Sequence, residues 1–550
     1  MSSKATRKRI PGLSPAGLTP QASHIKPSPP SRRAYSPTVD ALADLLRRID
    51  ILNRVGLALS SESNPRQLVE QILQGAMEIT RADGGTVYEV VENRLRFEII
   101  HNQSMGIHAG VSGVRPVPLP DVPLRAADGS ENHASVVAHC VLTGTTINIP
   151  DAYAAPGFDF AGTKSFDTKT GYRTTSVLVV PMRDHEGQIT GALQLINARD
   201  VGGGSVPFPF DDQVLVESLA SQAATARTKH RLIEDQKQLF EAFIQLIATA
   251  IDEKSPYTGG HCRRVPELTM LLAEAAAREP GSGIEGFAMS EHDRYELRIA
   301  AWLHDCGKIT TPEWVMDKAT KLSAIHDRIE LVATRFAAAA AQDPLRAKQL
   351  ADDLAFLRRC NTGGEFMRPE DQARIRAISV RTWTGLDGAE QALLTADEVE
   401  NLCIAKGTLL PREREVINHH IVATIKMLES LPFPRHLKRV PEFAGGHHER
   451  MDGKGYPKQL TRSQMSVQAR IMGIADIFEA LTAGDRPYKK AMTLTQALAI
   501  LGRMKLDGHV DPDLFDVFIR RRVYLDYAKR FLRPEQIDPV NDAAIPGYVP

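Results

Sequence analysis

The sequence has no excess of either charge: 67 Lys and Arg balance 67 Asp and Glu, so nothing global draws the chain to nucleic acid or to an anionic membrane. An anionic substrate must therefore be met by local basic residues. Cysteine is scarce. Cys140, Cys262, Cys306, Cys360 and Cys403 are odd in number, scattered and without CxxC spacing, which argues against a disulfide framework and fits reduced thiols. No run approaches the ~18 apolar residues of a membrane span, and the N-terminus lacks the apolar core of a secretion signal. These absences lead us to expect a soluble, cytoplasmic protein without a membrane span and without a nucleic-acid partner.

What remains is an ordinary globular composition, with 43% hydrophobic and 24% charged residues over 550 positions. At about 150 residues per domain this implies three or four folding units. Residues 1–40 stand apart. They carry seven Lys and Arg before the first acidic residue, Asp40, with a Pro-Ser-rich run at 27–33, and read as a disordered basic arm, at its plainest a solvated tail.

From Asp40 onward the pattern changes. Helices are expected over roughly 41–59 and from Asn64-Pro65, where Asn caps, Pro suits the first helical position, and Leu68, Ile72, Ala76 and Ile79 share a face. The period then becomes two. Val87–Val91 and Leu95, Phe97 and Ile99 flank a turn at Glu92-Asn93, and a second hairpin joins 176–182 to 189–196 through a polar turn. Together these elements predict a small α+β domain.

Residues 46–211 resemble a GAF domain. The resemblance is carried by Phe166-Asp-Thr-Lys-Thr-Gly-Tyr-Arg-Thr-Thr175, the Val-Val-Pro-Met strand end and Gly191-Ala-Leu-Gln-Leu-Ile-Asn197. Asn197 is followed by Ala198, and the later acidic pair is Asp211-Asp212, a departure from the pattern of cyclic-nucleotide-binding members. An unknown small-molecule ligand and a purely structural or dimerising role both stay open for this domain.

A long helix is expected over 212–252. Leu232, Leu239 and Leu246 recur every seven residues, thickened by Ile233, Phe240, Phe243, Ile247 and Ile251, and about 60 Å of helix at ~1.5 Å per residue suits pairing in a homodimer. Packing of the stripe on the chain's own downstream domain is the alternative.

Beyond residue 253 strand signals are scarce, and residues 320–405, which lack chemical motifs, read as a helical insertion. Histidine and aspartate carry the chemistry here. His261, His304-Asp305, His420, His447-His448 and Asp476 sit in apolar surroundings where unpartnered rings would cost several kcal/mol, and shared metal coordination removes that cost. Ile299–Lys308 reads as one helix, with His304 and Lys308 four apart on a face and Asp305 turned about 100° from His304. Lys308 is then placed to neutralise a phosphate or donate a proton. Cys306, inside the same motif, reads as an inert buried thiol.

The motifs Tyr257-Thr-Gly-Gly-His-Cys-Arg-Arg-Val265, His304-Asp-Cys-Gly-Lys308, Glu415-Val-Ile-Asn-His-His-Ile421, His447-His-Glu-Arg-Met-Asp-Gly-Lys-Gly-Tyr-Pro457 and Ala475–Lys489 together resemble the HD-GYP family of the HD phosphohydrolase superfamily, bacterial phosphodiesterases of cyclic di-GMP. The resemblance covers 245–535 and implies an all-α domain with metal ligands His261, His304, Asp305, His420, His447, His448 and Asp476. It makes Asp305 a bridge and places Lys308 beside the ions. It also implies substrate contacts from Gly455, Tyr456, Pro457, Arg486 and Lys489. Tyr257 stands where some members carry a glutamate for a third ion, which favours two divalent ions; the His-rich, thiolate-free set suggests iron or manganese.

The whole chain is thus expected to be multidomain: an arm at 1–40, a GAF-like sensor at 46–211, a linker helix at 212–252, a phosphodiesterase domain at 253–535 and a tail at 536–550. The expected reaction is hydrolysis of cyclic di-GMP to pGpG, with a second cleavage to GMP left open. Another cyclic dinucleotide as substrate, or a cyclic di-GMP receptor or scaffold with little turnover, are the alternatives.

Overall fold

A computed structural model describes residues 39–62, 64–110, 117, 119–254, 260–279, 284, 286–363, 366–385, 387–484 and 491–549. The basic arm up to residue 38, Tyr257, and the expected substrate contacts Arg486 and Lys489 lie outside them. The chain divides into two compact units, 1–234 and 235–550.

The first unit runs α1 (Val39–Ser61), α2 (Pro65–Thr80), β1 (Ala82–Val91), β2 (Arg94–Asn102), β3 (Ile107–Ala109), β4 (Val122–Pro123), α3 (Val136–Thr143), β5 (Ile147–Ile149), α4 (Ala161–Thr170), β6 (Val177–Arg183), β7 (Ile189–Arg199) and β8 (Ser205–Val206). The antiparallel sheet has the order β3-β2-β1-β7-β6-β5, with β4 added to β2 and β8 to β7. Asn64 caps α2 by accepting from Arg66 N, with Pro65 at the first helical position, and both expected hairpins are present.

Both faces of this sheet are covered. Val87, Leu178, Val180, Leu193 and Leu195 join one buried cluster with α1 and α2. Their neighbours Tyr88, Val177, Val179 and Ala192 join a second cluster with α3. Alternate side chains point to opposite faces, so a sheet buried on both reads as continuous apolar sequence. Asn197 helps to hold the sheet's approach in place. It adopts a positive φ of 55°, and its side chain accepts from Thr175 N at 2.7 Å and donates to Arg173 O at 2.8 Å.

Helix α5 (Phe210–Lys254) is continuous over 45 residues. Leu232, Leu239 and Leu246 are 52%, 58% and 63% exposed. Ile244, Ala248 and Ile251, on another face of the helix, are the residues buried in the downstream core. The three heptad leucines therefore lie off the face that meets the downstream core, whereas Phe240 and Ile251 of the expected stripe pack on that core.

The second unit continues with α6 (His261–Ala277), α7 (Glu291–Leu303), α8 (Glu313–Met316), α9 (Ile329–Gln342), α10 (Ala347–Asn361), α11 (Pro369–Ser379), β9 (Thr382–Thr384), β10 (Glu390–Ala392), α12 (Ala396–Leu402), α13 (Pro411–Glu429), α14 (Val440–Gly445), α15 (Val467–Thr482), α16 (Leu494–Leu506), α17 (Pro512–Arg520) and α18 (Val523–Phe531). One core draws on α5, α6, α7, α13 to α18 and Ile545. A separate small core, with Leu322, Phe336, Leu357, Ile375 and Leu402, holds the 320–405 region together.

The domain is mostly helical, as expected, with one short antiparallel hairpin, β9–β10, inside the 320–405 region. Residues 536–550 do more than trail off: the Gln536 amide donates to Thr482 O at 2.8 Å, and Ile545 is buried in the main core. Among the described residues no helix is long and apolar enough to cross a membrane.

Candidate metal centre

Three helices and two turns bring candidate ligands to one point. Helix α6 opens on His261. Helix α7, started by a reciprocal Ser290–Asp293 capping box, ends at Leu303 and delivers His304 and Asp305. His420 faces inward from α13, His447 and His448 follow α14, and Asp476 lies midway along α15. The expected unbroken helix through Lys308 is corrected here: residues 306–310 form a 3₁₀ turn. The tighter turn brings Lys308 Nζ to 2.5 Å from Asp305 Oδ2. Gly307 permits the packing, since a Cβ there would lie 2.0 Å from His420 O and 2.5 Å from Thr424 N.

All seven expected ligands come together, in two groups: His261, His304, Asp305 and Asp476, and His420, His447 and His448. Asp305 stands between them. Its Oδ2 lies 3.2 Å from both His261 Nε2 and His304 Nε2, and its Oδ1 lies 3.2 Å from His420 Nε2. Asp476 Oδ1 is 3.3 Å from His261 Nε2.

The outer nitrogens explain why the inner ones point inward. His304 Nδ1 donates to Ala301 O at 2.8 Å, His420 Nδ1 to Ile417 O at 2.5 Å and His447 Nδ1 to Ala444 O at 2.6 Å. His261 Nδ1 meets Glu479 Oε2 at 2.5 Å. A ring whose Nδ1 carries the proton presents a bare Nε2, the form that binds a metal, and such outer partners fix both tautomer and orientation.

Whether the pocket fits metal ions can be judged from what is left unsatisfied. Asp305 Oδ1, His420 Nε2 and His447 Nε2 are buried without a hydrogen-bond partner, a cost that coordination would remove. Imidazole nitrogen and carboxylate oxygen are donors for first-row divalent metals. The nearby thiols are not: burial pushes Cys306 up to about 11 and Cys262 higher still. The residues fit.

Protonation divides the same way. Burial holds His447 well below the usual histidine range and His448 down to about 4, so both rings are neutral. Burial also opposes charge on His304, but the Asp305 carboxylate beside it wins and raises it to about 9. Asp305 and Asp476 are held well below ordinary carboxylates, against the effect of burial, by Lys308 and the histidines for the first and mainly by His261 and His304 for the second.

The Gly455-Tyr456-Pro457 loop borders the site. Tyr456 stacks on His448, with ring centroids 4.9 Å apart and 28° between planes. A Cβ on Gly455 would lie 2.4 Å from Arg450 N.

Sequence reasoning gave no role to two buried carboxylates. Glu479, one helical turn after Asp476 on α15, holds His261 and accepts from Arg264 Nε at 2.7 Å. The i,i+3 spacing of two acids on an apolar helix was the available signal. Glu449, directly after His448, accepts from Lys458 N at 2.7 Å and Leu460 N at 2.9 Å, closing the loop around Tyr456. Its neighbours in sequence did not reveal that.

A family model described as a GAF domain matches residues 64–226, and two models described as HD domains match 258–381 and 395–514. The chain therefore joins a GAF domain to an HD-type domain. It is 28% identical over 282 residues to 3′3′-cGAMP-specific phosphodiesterase 3 of Vibrio cholerae, covering 50% of this chain and 39% of that protein. It is 43% identical over 81 residues to 3′3′-cGAMP-specific phosphodiesterase 1 of the same organism (15% and 19% covered). With a cyclic di-GMP phosphodiesterase of Pseudomonas aeruginosa the identity is 40% over 74 residues (14% and 17% covered). The matched stretches thus span well under half the length of these curated relatives.

Proposed function

We propose that this chain is a metal-dependent phosphodiesterase that hydrolyses cyclic di-GMP to linear pGpG, and to GMP when both bonds are cut, under the control of its GAF domain. The reading is supported above all by the Asp305 carboxylate, which offers one oxygen to each of two groups of largely buried imidazole and carboxylate side chains that could hold a metal ion.

His261, His304, Asp305 and Asp476 would hold one divalent ion, and His420, His447 and His448 with Asp305 the other. Two such ions supply Lewis-acid charge that eases deprotonation of water near neutral pH and offsets charge on a phosphate. Two ions rather than three are proposed because Tyr257 carries no carboxylate.

The chain's own groups complete the reaction. Burial disfavours the Lys308 ammonium, but Asp305 raises its pKa above the ordinary lysine value, so Lys308 stays protonated. It therefore serves as a cation facing the phosphate or as the acid for the departing 3′ oxygen, not as a base. A water oxygen attacks phosphorus in line, the P–O3′ bond breaks, and no Ser or Cys nucleophile is required. Tyr456, stacked on His448, supplies an aromatic wall beside the ligands against which a purine can rest, and Arg486 and Lys489 are proposed as phosphate contacts.

A second substrate, 3′3′-cGAMP, has support in the names of two of the similar proteins. Purified protein of known metal content, incubated with each cyclic dinucleotide and analysed by chromatography, tests the proposal. Linear products are expected. Tight binding without product from either nucleotide would instead favour a receptor or scaffold.

A further inference from the structure

The end of α5 touches two separate parts of the metal centre. Helix α6 begins at Gly260, which has a positive φ of 84° and no side chain with which to cap the helix that presents His261. Asp252, in the last turn of α5, supplies that cap. Its Oδ2 accepts from Gly260 N at 3.1 Å and its Oδ1 from Cys262 N at 3.2 Å, on either side of His261. Two residues further on, Lys254 Nζ donates to Lys308 O at 3.1 Å, Ile309 O at 2.5 Å and Thr311 O at 2.6 Å. These carbonyls lie at or just past the end of the 3₁₀ turn that carries Lys308, where a cation is favoured, and Lys308 O also accepts from Thr311 N at 3.0 Å.

The turn is gripped from two sides. On one, Gly307 N donates to Thr424 Oγ1 at 2.9 Å, which ties it to the helix bearing His420. On the other stands Lys254. Ile244, Ala248 and Ile251 seat this end of α5 in the same core as Cys262 and Leu303. A rigid helix set in the core thus holds the backbone of His261 through one charged side chain and that of Lys308 through another.

We propose that Asp252 and Lys254 are positioning residues: Asp252 sets His261 for metal binding, and Lys254 sets Lys308 against Asp305 and the substrate phosphate. The inference rests on the hydrolytic reading above and deepens it. It makes the last turn of α5 the place where a change in that helix reaches both a metal ligand and the catalytic cation. A shift of either backbone by a fraction of an ångström degrades geometry that the reaction needs held tightly.

Full-length, metal-loaded protein tests this. Lys254→Met is expected to lower kcat about tenfold or more, as losses of outer supporting groups do, with KM and metal content unchanged; Lys254→Arg should recover most of the rate. Asp252→Asn is expected to weaken Mn²⁺ binding by about tenfold or more, measured by competition with a chromophoric chelator. Should that variant not fold, Asp252→Ser, which keeps one accepting oxygen, is read in its place and should show a smaller loss. Bis(p-nitrophenyl) phosphate is assayed beside the cyclic dinucleotides. If wild type cleaves only the simple diester, the substrate reading fails while Lys254→Met is still informative; if it cleaves nothing, Mn²⁺ affinity still decides for Asp252. A merely structural role would lower thermal stability yet leave kcat per folded, metal-loaded molecule and Mn²⁺ affinity at wild-type values. That result would overturn the proposal.

Discussion

His420 Nε2 lies 3.2 Å from Asp305 Oδ1, yet these two buried atoms form no hydrogen bond with each other or with any other group. Two polar atoms placed so close and left unsatisfied are arranged for something between them. Asp305→Ala is therefore expected to abolish hydrolysis and most metal binding, because without the carboxylate two cations would face each other with no shared negative charge. Elemental analysis and a turnover assay check this; a variant that keeps full metal and normal turnover would refute the bridging role.

The metal itself is expected to be iron or manganese. The seven side chains offer five imidazoles and two carboxylates with no thiolate, a set that suits those ions as well as zinc and leaves redox-active metals free to occupy it. Protein purified without oxygen should contain them. Stoichiometric zinc alone, with full activity, would sink the expectation.

Leu239 and Leu246 are more than half exposed on α5, although they continue a heptad stripe. Leu239→Asp combined with Leu246→Asp should weaken self-association and alter turnover while leaving metal content intact, since no ligand is touched. Light scattering that finds wild type monomeric would remove the homodimer. Unchanged activity after deletion of residues 1–211 would remove control by the GAF domain.

Glu449 holds the loop around Tyr456 through two backbone amides. Glu449→Ala should raise KM about tenfold or more, given ~1.5–3 kcal/mol for each hydrogen bond to a charged group, with a smaller change in metal content. Equal KM values for variant and wild type would show that the loop does not form part of the substrate site.

Asp511 is fully buried and caps α17 through Asp513 N and Leu514 N, both at 3.0 Å, while Arg462 Nε donates to it at 2.8 Å and Arg470 also contacts it. Burial alone would raise its pKa, but Arg462, the Leu514 amide and Arg470 bring it below the ordinary carboxylate value. The folded pKa is the lower one, so its stabilisation is present above the unfolded value of about 3.9 and is lost as pH falls through the folded pKa. Asp511→Asn should cost about 3–5 kcal/mol at neutral pH, and the gap from wild type should narrow in denaturant titrations below pH 4. A gap independent of pH would show that charge is not the stabilising element.

Much of this molecule could be read from local pattern. The hairpin turn at Glu92-Asn93 and the Asn64-Pro65 helix start were legible because each rests on residues adjacent in the chain, whose backbone preferences act within a few positions. The seven candidate ligands were legible because imidazoles and carboxylates in apolar helices have few other uses. The helix expected through Lys308 instead ends at Leu303, and the turn that follows packs Gly307 against α13, a contact more than a hundred residues away that local pattern does not carry. The β9–β10 hairpin, six residues in two short strands, carried too little periodicity to register.

The sequence by itself determined which elements form and which side chains can ligate, since helix caps, apolar period and donor chemistry are properties of the residues in place. Only the tertiary structure decided that Asp305 turns one oxygen to each group, that Glu479 braces His261, and that Asp252 and Lys254 reach the segments of His261 and Lys308. Those pairings join residues up to 218 positions apart. They exist because burying the apolar faces of several helices in one core fixes the helices relative to one another, and no periodicity along the chain encodes that arrangement.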